Sequence, residues 1–317
     1  MQKIATRDAY GKTLVELGKK FDNLVVLDAD LSKSTKTALF KEAYPNRFFN
    51  VGIAEQNLIC AAAGLSLGGK VPFASTFAMF ASGRGFEQIR NSVCYPRLNV
   101  KIAVTHAGIT VGEDGASHQA NEDVACMRAI PNMSVLVPAD AVETEQIVEA
   151  AYHYDGPVYI RLGRLAVPVI YDESYKFQWG RASRLKEGRD ASIIAIGLMV
   201  SKAIEAAELL AEEGIKVSVY NMSTVKPLDV QAIEEAAENG CIVTAEEHVL
   251  IGGLGSAVAE VLGERCPVPL ERVGLKDTFG ESGKPDELLK KYGLTAGDIA
   301  AAVIRAMDRK HPCKHRT

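Results

Sequence analysis

Apolar residues along the chain fall into short, nearly uninterrupted runs, separated by longer stretches in which they recur every three or four positions. The runs read as strands buried on both faces, and the periodic stretches as helices with one buried face. In the first half this pattern predicts strands at 24–27, 48–52, 71–75, 100–105, 135–138 and 158–162. Helices are predicted over 55–67, 77–93 and 141–152. Such alternation implies a parallel sheet covered on both sides. The segment 167–189 breaks the rhythm with Pro168, Tyr171, Tyr175, Phe177 and Trp179 followed by a charged stretch, and reads as a connection crossing a surface. A second series predicts strands at 192–196, 216–221, 242–245 and 270–273, and helices at 201–211, 229–239, 256–263 and 296–307. Ile204, Ala207 and Leu210 mark the buried face of the first of these helices. The expected fold class is α/β with two doubly wound domains. A mostly parallel sheet domain spans 1–170, a connection 171–189, a smaller α/β domain 190–311, and a polar, frayed tail 312–317.

Length and composition narrow the picture. The 317 residues fit two domains of ordinary size, and 47% hydrophobic with 24% charged residues is the balance of a globular protein rather than a disordered one. A formal net charge of -4 argues against gripping a nucleic-acid backbone. No apolar run reaches the roughly 18 residues needed to cross a bilayer. The opening residues offer neither an apolar core nor a cleavage site for a signal peptide. The six cysteines are scattered without a C-x-x-C pair, which suggests reduced thiols in a cytoplasmic protein and no zinc site.

In open parallel sheets ligands gather at the carboxyl ends of strands, and four segments there carry candidate chemistry. In Phe48–Asn57 a helix opens at Glu55. This residue reads either as a first-turn glutamate that steadies the helix, or as a carboxyl presented at the ligand edge, with Phe48, Phe49 and Ile53 raising its pKa by desolvation. Phe77 and Phe80 fall at i, i+3 and either pack in the core or hold a flat ring. The loop Thr105–Gln119 carries His106, Glu113, Asp114 and His118 among three glycines. Metal binding, a solvated polar loop, and acid–base chemistry with recognition of sugar hydroxyls are its readings, and histidines titrating near neutrality suit the last. Arg164, beside Gly163 at a strand end, suits a phosphate or carboxylate, or an interface salt bridge.

Taken together, GIAEQN, STFAMF, THAGITVGEDGASHQ and IRLGR, in this order, resemble the C-terminal half of transketolase, from the first helix to about residue 308. The segments 182–188 and 274–280 resemble that family's C-terminal domain. The resemblance implies a pyrimidine-binding domain followed by a C-terminal domain, and dependence on thiamine diphosphate. It implies that Glu55 bonds N1′ of the aminopyrimidine, that Phe77 and Phe80 hold that ring, and that Asp30 lies close to the coenzyme. It also implies that Ser34 and Arg164 bind the sugar phosphate, that His106 and Asp114 contact the donor's hydroxyls, and that His118 lies near the carbonyl end. His106 and His118 join Glu55 as candidate catalytic groups.

Three departures qualify the resemblance. Gly83 stands where an aromatic often completes the ring pocket. Ala107 replaces an acid, or the arginine of deoxyxylulose-phosphate synthases. No G-D-G occurs in the chain, so the family's Mg²⁺ and diphosphate ligands, G-D-G followed by Asn, are expected on a partner. The expectation is the C-terminal subunit of a split transketolase, active only with an N-terminal subunit in an α2β2 assembly, and moving a two-carbon ketol unit from a ketose phosphate to an aldose as in the pentose phosphate pathway. The alternatives are an E1 β subunit, a deoxyxylulose-phosphate-synthase-like subunit, or a non-catalytic binding module. The run Thr244–His248 before Gly252-Gly253-Leu254-Gly255 reads as a structural or interface element.

Overall fold

The apolar runs of the sequence become fourteen strands in the computed structural model, which describes residues 2–310. The expected frayed tail lies outside the described residues. The strands are β1 (Lys3–Ala5), β2 (Leu24–Asp28), β3 (Phe48–Asn50), β4 (Val71–Ser75), β5 (Lys101–Val104), β6 (Ser134–Leu136), β7 (Val158–Arg161), β8 (Ala166–Pro168), β9 (Ser183–Lys186), β10 (Ala191–Ala195), β11 (Val217–Asn221), β12 (Thr224–Lys226), β13 (Ile242–Val249) and β14 (Leu270–Leu275).

A seven-stranded sheet has the order β12-β6-β7-β5-β4-β2-β3, parallel throughout except where β12 runs antiparallel to β6. Its inner strands are buried on both faces because alternate residues feed different cores. Leu24 and Val26 join Tyr10, Leu14, Leu17 and Ile147, beneath the helices Thr6–Lys20 and Ala141–His153. Val25 and Leu27 join Leu58, Ile59 and Ile89 in a cluster that runs on to Ile194, Ile233 and Val258 of the second half. One core therefore spans both halves. The five-stranded sheet has the order β14-β13-β10-β11-β9 and is covered by the helices Met199–Glu212 and Ala296–Asp308. Among the described residues no helix is long and apolar enough to cross a membrane.

Three features differ from the sequence reading. The stretch 171–189, expected to be a plain connection, supplies β9, antiparallel to β11 at the sheet edge. Its aromatics pack on the first half: Trp179 stacks on Tyr154 at 4.4 Å between ring centroids, and the hydroxyl of Tyr175 donates to the buried Glu143 at 2.6 Å. The short β12, absent from the sequence reading, crosses from the second half to the first sheet. The helix expected over 77–93 is broken into Ala78–Gly83, Phe86–Gln88 and a wider-wound turn at Ile89–Cys94. Glycines on both sides of Arg84 weaken the helix there.

Candidate active site

The candidate residues gather at the carboxyl ends of β2, β4, β5 and β7 and at the turn after β3. Glu55 opens the helix Glu55–Leu67 and is only 4% exposed. The sequence neighbours expected to enclose it do not all do so: Phe49 and Ile53 are 41% and 77% exposed. Its partner is a cation, since Nη1 of Arg84 lies 3.0 Å from Oε1 of Glu55. The same guanidinium sits 4.3 Å from the centre of the Phe80 ring. Sequence reasoning missed Arg84 because its meeting with Glu55 depends on the helix break beside it.

Phe77 does not share a helix face with Phe80; it is the extended residue that precedes the helix. Even so, the two rings are near-parallel at 5.7 Å. The imidazole of His106 stacks on Phe77 at 3.8 Å, and His118 meets Phe80 edge-on at 5.4 Å. Next to Phe77, the buried hydroxyl of Thr76 has no partner. Met79 partly fills the space left by Gly83, its Cε 3.1 Å from where a Cβ would lie.

His106 follows β5 in a left-handed conformation, φ 56°. Arg7 Nη1 approaches its Nε2 at 3.3 Å, and its Nδ1 lies 2.8 Å from the Thr105 hydroxyl. Arginine can only donate, so Nε2 accepts and Nδ1 carries the proton. Burial, helped by the charges of Arg7 and Arg164, pushes the imidazole down to about 3. The expectation of a histidine titrating near neutrality is thus corrected at this position: His106 is a fixed neutral hydrogen-bonding group.

Arg7 is the second residue that sequence reasoning missed. It lies at the start of the Thr6–Lys20 helix, far from every motif, and also donates to the Ser34 carbonyl at 2.9 Å. Its Nε is buried without a partner, and its pKa is lowered by burial and by nearby Arg164. Arg7, with a donor unspent and a second guanidinium nearby, makes a corner suited to an anion. Ser34 sits in the turn Ser32–Thr35, which is anchored by buried Asp28 accepting from Leu31 N–H and the hydroxyls of Thr35 and Thr37 at 2.6–2.9 Å. Asp30 is exposed and left-handed, φ 65°. It is tied to the turn before Glu55 through Asn50, which donates to it at 2.9 Å. Arg164 donates to the Val111 carbonyl and faces Asp114 at 3.5 Å and Glu113 at 3.6 Å, so it is already engaged with the acids of the glycine loop. Among the described residues no group of three or more His, Cys, Asp or Glu is placed to hold a metal ion.

A buried carboxyl beside stacked rings, next to an anion corner at the edge of a parallel sheet, is an arrangement that suits a coenzyme-dependent α/β enzyme. Residues 2–169 match the transketolase pyrimidine binding domain and residues 180–299 the transketolase C-terminal domain. The chain belongs to the transketolase family, whose enzymes depend on thiamine diphosphate, and is a transketolase-like subunit. It is 52% identical over 307 residues, 96% of each chain, to a protein of Methanocaldococcus jannaschii provisionally named a transketolase C-terminal section. It is 46% identical over 306 residues to a 6-deoxy-6-sulfo-D-fructose transketolase subunit of a Clostridium species, covering 96% of this chain and 95% of that one. A solved structure described as a split gene transketolase, inactive beta4 tetramer, superposes with a TM-score of 0.91 at 60% identity, covering 97% of this chain and 99% of that chain.

Proposed function

We propose that this chain is the C-terminal subunit of a two-chain transketolase that moves a two-carbon ketol unit from a ketose phosphate to an aldose. The observation that carries the reading is Glu55: a buried carboxyl at a helix N-terminus, beside the Phe77–Phe80 stack, at the ligand edge of the sheet. The aminopyrimidine end of thiamine diphosphate fits these residues, with the unpartnered Thr76 hydroxyl close by as a further polar group. When bound, the coenzyme supplies the carbon nucleophile and the electron sink. Glu55 holds a proton at the ring nitrogen, exchanging its ion pair with Arg84 for that bond. Phe77 and Phe80 would hold the ring. His106 orients a sugar hydroxyl without changing its own charge, Asp114 accepts from another, and His118 lies toward the carbonyl end. Ser34 and Arg164, joined by Arg7, bind the sugar phosphate.

The diphosphate and its Mg²⁺ would be held by an N-terminal partner carrying G-D-G and Asn, in an α2β2 assembly. The missing G-D-G supports this, as does open apolar surface beside Glu55, where Ile53 is 77% exposed. Charged and hydroxyl-seeking groups in the glycine loop favour sugars over 2-oxo acids as substrates. The purified chain with thiamine diphosphate and Mg²⁺ should show no ketol transfer, and adding the partner should restore it. Turnover by the chain alone, or transfer from pyruvate but not from any ketose phosphate by the pair, would overturn the proposal.

A further inference from the structure

The end of β13 carries Glu246, Glu247 and His248, all buried. Glu246 faces its own domain, accepting the N–H groups of Leu254 and Gly255 at 2.7 and 2.8 Å at the start of the Leu254–Arg265 helix. Nε2 of His248 accepts the N–H of Ala125 at 3.3 Å. Glu247 crosses to the first domain. Its Oε1 accepts the N–H of Thr110 at 2.6 Å, and its carboxyl lies so close to Gly108 that a Cβ there would come within 2.3 Å of Cδ.

Thr110 belongs to the short turn Ile109–Asp114, whose far end presents Glu113 and Asp114 to Arg164. A second tie from the same domain holds the other end of the loop: the Gln119 amide donates to the carbonyls of Ile109, at 3.1 Å, and Glu281, at 2.9 Å. Arg161 completes the joint by donating to both oxygens of Asp123 and to the Glu247 carbonyl at 3.0 Å. A buried carboxyl is costly, and burial pushes Glu247 up to about 7. Neither hydrophobic core requires an acid here; the turn requires an acceptor.

We propose that Glu247 is a positioning residue by which the C-terminal domain sets the 109–114 turn, and with it Asp114, for binding the donor sugar. The inference rests on the reading of Asp114 as a sugar contact. It is tested with Glu247→Met, which keeps the length but removes the acceptor, and with Glu247→Gln, which keeps an oxygen for the Thr110 N–H. Amide exchange over residues 109–115 of the full chain should rise about tenfold or more in Glu247→Met and stay near wild type in Glu247→Gln. In the assembled enzyme, KM for the ketose phosphate should rise about tenfold in Glu247→Met while kcat stays within about threefold and coenzyme affinity is unchanged. Glu247→Gln should restore KM. If Glu247→Met does not fold, Glu247→Ala replaces it in both measurements. Unchanged exchange overturns the proposal, and so does raised exchange with an unchanged KM. A wild-type assembly that turns over no ketose phosphate overturns the functional reading instead, while the exchange result still decides whether Glu247 holds the turn.

Discussion

In the proposed reaction Glu55 serves two partners in succession. Without coenzyme its carboxylate is neutralised by Arg84, and in the proposed reaction it gives that contact up for a ring nitrogen. Glu55→Gln keeps the size and hydrogen-bonding capacity but cannot share a proton, so turnover of the assembled enzyme should fall by about 10²–10⁴-fold with the melting temperature little changed. Near-normal kcat would remove Glu55 from the mechanism. Arg7 carries a more selective expectation. In Arg7→Ala, kcat/KM should drop at least about tenfold more for phosphorylated donors than for unphosphorylated analogues. Equal losses would dismiss the anion corner. His106 yields a pH prediction. Its folded value, about 3, lies below the ordinary 6.5, so the unfolded chain takes up a proton first as pH falls. The stability due to its neutral form is complete above about 6.5 and is lost as pH drops toward 3. Melting temperature should therefore fall more steeply between pH 6.5 and 4.5 in wild type than in His106→Asn; parallel slopes would contradict it.

At the scale of elements, helix starts and strand ends carry the chemistry, and close backbone approach lets them meet. Glu246 reaches the start of the Leu254–Arg265 helix only because Gly253 has no side chain: a Cβ would lie 2.1 Å from Oε2 of Glu246 and 2.7 Å from Nδ1 of His248. Gly253→Ala should cost about 1–3 kcal/mol through a displaced, unsatisfied carboxylate, read as a lower thermal midpoint; an unchanged midpoint would show that the joint yields freely. This scale also shows what was legible in the sequence. The Glu55–Leu67 helix and the Val71–Ser75 strand occupy their expected residues, because a full buried face is written into a regular period. The broken helix after Phe77 was masked in the sequence because its apolar spacing continues through Gly83 and Gly85, the glycines that weaken the helix there. Arg84 and Arg7 were hidden for a related reason, since each meets its partner across the fold, 29 and 99 residues apart in the chain. The cluster of His106, Phe77, Phe80 and His118 was legible because the two motifs that carry these residues each follow a strand on the same sheet edge.

For the whole molecule, the joint between the halves is the least expected result. A pattern of two alternating series suggests two independent bodies, yet one apolar cluster runs through both, and a buried acid of the second half holds a turn of the first. Long-range polar pairs of this kind leave no periodic trace in the sequence. In the proposed reading, the loop that contacts the sugar is set by a domain that itself contributes no contact with the substrate.

The strand β12 carries that dependence furthest. Because Thr224–Lys226 closes one margin of the large sheet by pairing with β6, a fragment ending at residue 170 would leave the Ser134–Leu136 backbone groups bare. A cut between the two halves of this chain would therefore expose a sticky ribbon to self-association.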